Sequence, residues 1–169
     1  ETGDTGLINN DNSLWLGKYP SAHSSGNFYL GFTDETRIWD RELTQAEIQS
    51  YMTSPPSGNE SNLVGYWNFN EGTGTTLTDQ TSNDNDGTIN GATWSTNVPP
   101  TSGGNNALSL DGTDDYVDFG DDDDFDFGTG DFTIEAWINP ANVSQNARIV
   151  AKGHTGAGGA FQLAILDSR

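Results

Sequence analysis

The sequence predicts an all-β fold, an antiparallel sandwich or barrel, and three observations support this prediction. Apolar and polar residues alternate with a period of two over runs of strand length. Clusters of Gly, Asn, Asp, Thr and Ser separate these runs, as turns do between antiparallel strands. Helical periodicity is scarce along the 169 residues. The spacing of the runs favours a β-sandwich.

The clearest strands lie late in the chain, over residues 132–138 and 161–166. In the first, Phe132, Ile134, Ala136 and Ile138 alternate with Thr133, Glu135 and Trp137, and in the second, Phe161, Leu163 and Ile165 alternate with Gln162, Ala164 and Leu166. The second of these runs carries apolar residues on both faces, so we expect it to be a central strand. In chain order the predicted strands are 13–17, 28–32, 36–39, 64–70, 87–94, 106–110, 115–119, 132–138, 147–152 and 161–166.

One helix is predicted, over residues 44–52. Thr44 stands three residues before Glu47, as in a capping box, and apolar residues follow. Residues 54–62 come directly afterwards and hold two prolines and no apolar side chain, which indicates a linker with polyproline character. We therefore expect a boundary there.

Composition excludes several classes of function. Lys and Arg number 6 against 25 Asp and Glu, and the resulting charge of −19 disfavours nucleic acid and anionic membrane as partners. The chain has no cysteine, which excludes disulfides, a thiolate nucleophile and a Cys-type zinc site. No apolar run reaches the roughly 18 residues that a membrane span needs. Hydrophobic residues at 32% and aromatic residues at 11% still allow a packed core.

Three stretches carry motifs of a known family. They are residues 14–17 with 28–44, residues 63–94, and residues 107–137, which include Ala107-Leu108-Ser109-Leu110-Asp111-Gly112. These stretches resemble the laminin G-like domains of the concanavalin A-like lectin and glucanase superfamily, in the version common in secreted bacterial proteins. The resemblance implies a concanavalin A-like jelly-roll sandwich and a secreted or cell-surface location.

The order of the stretches differs from that of one such domain. Residues 1–53 are similar to the C-terminal part of one repeat, and residues 63–169, after the linker 54–62, to the N-terminal part of the next. A sandwich that lacks strands exposes its edges and inner face, so we expect neither part to be stable alone. Cover would come from a neighbouring copy, from a further chain segment, or from packing of one part on the other. Truncation of the sequence is the alternative explanation.

Acidic loops predict calcium, because this ion binds hard oxygen donors in loops with glycine at the tight turns. The resemblance makes two places plausible for a structural calcium ion. At the loop that contains Asp79 the alternative is a solvated Asx-turn loop, and at Asp34 and Glu35 the alternative is an ion pair with Arg37 or Arg41. Asp111 and Gly112 predict a hairpin turn, with a metal site as the alternative. The run 121–124 predicts a solvated loop. The metal candidates are Asp79, Asn83, Asp84 and Asp86 in the first loop, and Asp34 and Glu35 at a strand end.

Catalysis has little support in the sequence. The glycosidases of this superfamily carry two glutamates and an intervening aspartate on one strand, and no such arrangement occurs here. His23 and His154 lie in Ser-rich or Gly-rich loops without identifiable triad partners. We therefore do not expect an enzyme.

Binding is the remaining class of function, and exposed aromatic faces are typical of sugar recognition. The candidates are Trp15, Tyr19, Tyr29 and Trp137, with core packing as the alternative. The sequence favours a non-catalytic extracellular adhesion or carbohydrate-binding module that calcium stabilises. The alternative function is a structural subunit of an extracellular filament in which neighbouring copies complete each other's sandwich. The expected partner is a glycan or further copies of the chain, in a homo-oligomer or polymer.

Overall fold

The structure is a computed structural model that describes residues 11–19, 28–98, 104, 106–143, 146–153 and 160–166. It has eleven strands, one α-helix and one short 3₁₀ helix within these residues. The strands and the α-helix are β1 (Leu14–Leu16), β2 (Leu30–Trp39), α1 (Gln45–Tyr51), β3 (Leu63–Trp67), β4 (Thr76–Leu77), β5 (Gly87–Asn90), β6 (Thr93–Ser95), β7 (Ala107–Asp111), β8 (Tyr116–Asp118), β9 (Thr133–Pro140), β10 (Ala147–Lys152) and β11 (Phe161–Ile165).

The strands form two antiparallel sheets. The first sheet has the order β11-β10-β1-β8-β5-β4, and the second has the order β3-β2-β7-β6 with β9 also paired to β2. Their inner faces enclose one core, which includes Leu14 and Leu16 from the first sheet and Ile38, Trp67 and Leu108 from the second. The prediction of an all-β sandwich is confirmed, and the two antiparallel sheets are consistent with a jelly-roll.

Strands from before and after residues 54–62 share both sheets. Strand β1 lies between β10 and β8, and β2 pairs with β9 along one edge and with β3 and β7 along the other. Of the three kinds of cover considered above, the structure has the packing of one part on the other. The derivation of the two parts from consecutive repeats stays a prediction.

The segment after α1 is a compact turn. The Glu60 carboxylate accepts hydrogen bonds from the backbone N–H groups of Ser57 and Gly58, at 2.8 and 3.0 Å. Pro56 and Gly58 are buried. Local hydrogen bonds thus organise residues 57–60, and the polyproline character expected for this segment stays a prediction.

The predicted helix is confirmed, with its capping box. Thr44 accepts a hydrogen bond from the N–H of Glu47 at 3.3 Å, and Glu47 accepts one from the N–H of Thr44 at 2.8 Å. The helix packs on the outer face of the second sheet, where the rings of Tyr51 and Trp39 stack with centroids 5.1 Å apart. Among the described residues no helix is both long enough and apolar enough to cross a membrane.

Two strand predictions are wrong in their bounds. The runs 28–32 and 36–39 form one strand, because a bulge between Asp34 and Arg37 shifts the register and lets pairing continue. The run 87–94 splits into β5 and β6 at Gly91, whose φ of 78° starts a turn.

The predicted central position of the last strand is also wrong. Strand β11 stands at the end of the first sheet, beside β10 alone among the described strands. Alternation shows which faces of a strand are apolar, but it does not show whether both of its edges are paired.

The acidic run is more ordered than predicted. Asp122 caps a 3₁₀ turn over Asp123–Phe125, and Phe125 is fully buried. The Lys152 ammonium, also fully buried, lies 2.9 Å from a carboxylate oxygen of Asp121 and 3.4 Å from one of Asp126. A buried ammonium needs anionic partners, and its ion pairs with Asp121 and Asp126 connect the acidic run to strand β10.

Candidate functional site

The outer face of the second sheet brings predicted site residues together. In the pairing of β2 with β9, Asp34 lies opposite Trp137 and Phe32 lies opposite Asn139. Residues directly opposite each other share a face of the sheet. Alternate residues of β9, such as Ile138, pack against the core, so this set of four faces outward.

These residues line a groove of about 360 Å³, which we call the outer-sheet groove. Phe32 and Trp137 are half-buried, so each keeps part of its ring accessible. Asp34 is only 1% exposed, and one of its oxygens accepts the N–H of Glu35 at 2.8 Å. The groove is lined by Phe32, Thr33, Asp34, Asn97, Val98, Ala107, Trp137, Ile138 and Asn139.

The chemistry of the groove suits a ligand with both apolar and polar faces. The rings of Phe32 and Trp137 offer stacking surfaces, and the exposed side-chain amides of Asn97 and Asn139 both donate and accept hydrogen bonds. A mostly apolar cleft with a few polar groups is the usual form of a small-ligand site.

A cluster of charged side chains begins at Glu35, next to Asp34 in the groove. Glu35 has a φ of 51°, and its carboxylate accepts hydrogen bonds from the Arg37 guanidinium and, at 2.9 Å, from the Tyr66 hydroxyl. Burial raises the pKa of Glu35 above its ordinary value, and this effect outweighs the attraction of Arg37. For Glu35 the structure has the ion pair that was the alternative to a calcium site.

Glu135 belongs to the same cluster and pairs opposite Arg37 in the sheet. Its carboxylate accepts a hydrogen bond from the Trp39 indole N–H at 3.1 Å. Burial raises the pKa of Glu135 as well, and the charge of Arg37 opposes that shift. Both glutamates thus have structural partners beneath α1, where Arg37 also donates to the carbonyl of Tyr51 at 3.3 Å.

The first predicted metal loop is organised by hydrogen bonds from Asp79. One carboxylate oxygen accepts the N–H groups of Tyr66 and Thr81, both at 3.0 Å. The other accepts the Thr81 hydroxyl at 2.7 Å and the N–H of Asn85 at 3.1 Å. This is the Asx-type loop that was the alternative to a calcium site.

The other members of that loop point to different partners. Asp86 accepts the N–H of Asp79 at 2.8 Å, and the Asn83 amide donates to the carbonyl of Val64 at 2.9 Å. Asp84 is exposed and has a φ of 60°. Calcium binding by these residues stays a prediction.

The hairpin predicted at Asp111 and Gly112 is wrong, because β7 and β8 on either side of this turn belong to different sheets. A group of three carboxylates lies in this connection between the sheets. One oxygen from each of Asp111, Asp114 and Asp115 lies within 4.8 Å of the others. Asp115 is buried, and it accepts the N–H of Asp111 at 2.9 Å. Burial raises the pKa of Asp115, and the charges of Asp111 and Asp114 add to that shift.

The four aromatic candidates occupy separate places. Trp15 lies opposite Asp118 in the pairing of β1 with β8, on the outer face of the first sheet. The Lys18 ammonium lies 4.8 Å from the centroid of the Trp15 ring. Tyr19 lies under the Arg148 guanidinium, at 4.7 Å. Tyr29 is fully buried, so its ring has no exposed face for a ligand, and its hydroxyl donates to the carbonyl of Phe32 at 3.0 Å. Trp137 alone among these four candidates lies in the groove.

Sequence reasoning missed several lining residues because they come from distant parts of the chain. Phe32 is 107 positions from Asn139, and only the register of β2 with β9 places them together. Asn97 and Val98 follow β6 in a loop, where alternation gives no signal. His23 and His154 lie outside the described residues.

Three of the nine lining residues, Trp137, Ile138 and Asn139, lie in a segment that matches a family model. Residues 111–169 match a laminin G family model described as the concanavalin A-like lectin/glucanases superfamily. The resemblance inferred from the sequence is thereby confirmed for this segment. The match includes Trp137 and Asn139, whereas Phe32 and Asp34 precede it.

No curated protein and no solved structure matches the chain at a significant level. At the coarse level, the laminin G match supports a carbohydrate-binding or adhesion-type module. Laminin G-like domains are typically extracellular.

Proposed function

We propose that the protein is a non-catalytic carbohydrate-binding module and that the outer-sheet groove is its binding site. The observation that carries this proposal is the meeting of Trp137, Phe32 and Asp34 in one groove on an outer sheet face. The apolar face of a sugar ring would stack on the indole, and the amides of Asn97 and Asn139 would bond its hydroxyl groups.

The absence of catalysis in this proposal rests on the partners of the two nearby glutamates. Glu35 is almost completely buried and accepts hydrogen bonds from Arg37 and Tyr66. Glu135 accepts a hydrogen bond from Trp39. A retaining or inverting glycosidase needs both carboxyl groups at the scissile bond. We expect no release of reducing ends from oligosaccharides that bind.

Two matched tryptophan variants test the binding site. Trp137 and Trp15 are both half-buried and lie on the outer faces of different sheets. On glycans first identified with an array, Trp137→Ala should weaken binding about tenfold or more, because it removes the stacking surface. Trp15→Ala should bind as the unchanged protein does. Equal losses in both variants, or a loss in Trp15→Ala alone, would contradict the assignment of the groove.

We propose calcium as a stabilising ion, bound at the Asp79 loop or at the Asp111 group. A ligand that binds only the folded form raises the melting temperature, so excess chelator should lower it. Asp84→Asn and Asp114→Asn each remove one exposed charge, from the first and second place respectively. The variant whose melting temperature no longer responds to chelator identifies the site. A melting temperature that chelator leaves unchanged in the unaltered protein removes calcium from the proposal.

The filament subunit is a second candidate, and the open side of the sandwich favours it. Among the described strands, β9 pairs only with β2 and β11 only with β10. Between these two strands lies a cleft of about 460 Å³. Its lining includes the core-facing side chains of Ile134, Ile138, Ile149, Leu163 and Ile165. A strand from a neighbouring copy would cover it by edge pairing.

Mass measurement over a range of concentrations separates the two candidates. A filament subunit should grow in mass with concentration, and Ala164→Lys on β11 should prevent this because an edge lysine opposes strand pairing. Thr76→Lys, on the edge strand β4 of the same sheet, is the matched control and should assemble normally. A constant monomer mass at every concentration would exclude the filament.

A further inference from the structure

The outer-sheet groove runs across the strands of the second sheet. Its lining comes from β9 at one side, from β2 in the middle, from the first residue of β7, and from Asn97 and Val98 after β6. In this sheet β9 pairs with β2, β2 pairs with β7, and β7 pairs with β6. A ligand that contacts both ends of the lining therefore crosses the middle strand β2.

The strand order sets the length of this path. The positions of β9 and β6 in the sheet differ by three strand spacings of about 4.8 Å each, which gives a path of roughly 14 Å. A linear chain of six-membered sugar rings repeats over a distance similar to one strand spacing. The groove therefore has room for about three sugar units along its path.

The contacts along the path suit consecutive sugar units. Phe32 lies opposite Asn139 and Trp137 lies opposite Asp34, so the two aromatic residues occupy diagonal positions roughly 7 Å apart on the same face. Rings at this separation stack on neighbouring sugar units. The exposed amide of Asn97 lies farther along, beyond the aromatic pair.

The charge of the molecule favours a neutral ligand. None of the nine described lining residues is Lys or Arg. Of the six Lys and Arg residues of the chain, five are described and none of these lines the groove, and Arg169 lies outside the described residues. The net charge of −19 repels an anionic ligand at long range, and no described cation in the lining offsets this repulsion.

We propose that the groove binds a neutral, linear oligosaccharide of hexopyranose units across β2, in about three adjoining subsites. This inference rests on the proposed function, since it assumes that the groove binds sugars. The subsite at β9 has Trp137 and Asn139, and the middle subsite has Phe32. The third subsite, at the loop after β6, has Asn97 and Val98. No described strand lies beyond β9 in this sheet, so a longer chain has room to extend past that end.

Titration of the unaltered protein with oligomers of defined length tests the proposal. The neutral series are β-1,4-linked glucose, β-1,4-linked N-acetylglucosamine and any linear neutral glycan that the array selects, and the anionic series is α-1,4-linked galacturonic acid. In the neutral series that binds, we expect affinity to rise about tenfold or more from one unit to three, and less than about threefold from three units to six. The anionic series should bind about tenfold more weakly or worse at every length.

Two asparagine variants test the subsite at the loop after β6. Asn97→Ala removes the amide of that subsite, so the three-unit oligomer should lose about fivefold in affinity or more and bind little better than the two-unit oligomer. Asn146→Ala is the matched control, because Asn146 is also exposed and precedes β10, outside the lining of the groove. This control should keep the full dependence on length.

The outcomes separate the inference from the function on which it rests. Equal affinity for one and three units, with binding lost in Trp137→Ala, would overturn the inference and leave the sugar-binding function intact. The same conclusion would follow if galacturonic acid oligomers bound as tightly as neutral ones, or if Asn97→Ala and Asn146→Ala had equal effects. Array binding of branched or anionic glycans alone, lost in Trp137→Ala, would also overturn only the inference. An array and titrations with no bound glycan would overturn both.

Discussion

Position 91 requires glycine because two constraints coincide there. Its φ is 78°, a left-handed conformation that other residues adopt at a cost of about 1–2 kcal/mol. A Cβ atom would also lie 2.1 Å from a carboxylate oxygen of Asp115. Asp115 in turn accepts the backbone N–H of Asp111, so the turn between β5 and β6 and the connection from β7 to β8 fit together through this contact.

Gly91→Ala should therefore lower the free energy of unfolding by more than backbone strain alone explains. Gly74 is the matched control, since its φ is 85° and nothing lies within 4 Å of an added Cβ atom. We expect Gly74→Ala to cost about 1 kcal/mol and Gly91→Ala at least about 2 kcal/mol. Chemical denaturation measures both values. Equal losses in the free energy of unfolding of the two variants would show that the Asp115 side chain moves away from the added methyl group without cost.

Glu35, which is buried, and Glu135, which is half-buried, give the free energy of unfolding a defined dependence on pH. The pKa values of Glu35 and Glu135 are raised in the folded protein above their ordinary value of 4.5, mainly by burial. The folded form then binds more protons than the unfolded form at pH values just above 4.5, so stability falls as the pH rises through this range. The raised pKa of Asp115 acts in the same direction.

We expect the free energy of unfolding to be greater at about pH 5 than at about pH 7. Glu135→Gln should reduce the difference, and its amide oxygen can still accept the Trp39 N–H. Glu42→Gln removes one exposed charge outside the cluster and serves as the control. The pKa of Glu47 is lowered to about 2 by Arg41 and Thr44, so its contribution is lost only at pH values below 4.5. Stability that rises steadily from pH 5 to about pH 7 would contradict this account.

The single helix depends on local hydrogen bonds and on one aromatic contact. It has seven residues, none of them buried, so its cap contributes much of its stability. Thr44→Ala removes the acceptor for the Glu47 N–H, and we expect a loss of about 1 kcal/mol in the free energy of unfolding. Thr44→Ser keeps the hydroxyl and should lose little. Thermal melting of the three proteins checks this, and a fully stable Thr44→Ala protein would show that packing of Tyr51 on Trp39 is sufficient.

Elements with local signals could be predicted from the sequence, and features that depend on pairing could not. The capping box identified α1 and alternation identified β9 and β10, because these patterns lie within one element. The buried state of Tyr29 and the edge position of β11 depend on which strands become neighbours. The outer-sheet groove depends on the same information, since the pairing of β2 with β9 places Asp34 beside Trp137. The sequence indicates Trp137 as a candidate for sugar binding and Asp34 as a candidate for metal binding, but it does not indicate that the two lie together.

The whole sandwich is assembled from two segments that interleave. In the first sheet, β1 separates β10 from β8, so its removal would leave two unconnected sets of strands. In the second sheet, β2 is the only described strand that joins β9 to the others. Three of the nine residues that line the groove, Phe32, Thr33 and Asp34, also come from β2. Folding and ligand binding should therefore require both segments.

Division of the chain within residues 54–62 tests this dependence. We expect the fragment before the break and the fragment after it to lack fixed aromatic packing in near-ultraviolet circular dichroism, because each exposes inner sheet faces. Mixed in equal amounts, they should recover the folded signal together with any glycan binding of the intact chain. A glycine-serine insertion between the exposed Ser54 and Pro55 is the control, and it should cost below about 1 kcal/mol because a longer loop adds little closure entropy. Cooperative unfolding of either fragment alone would show that one segment forms a stable sandwich without the other.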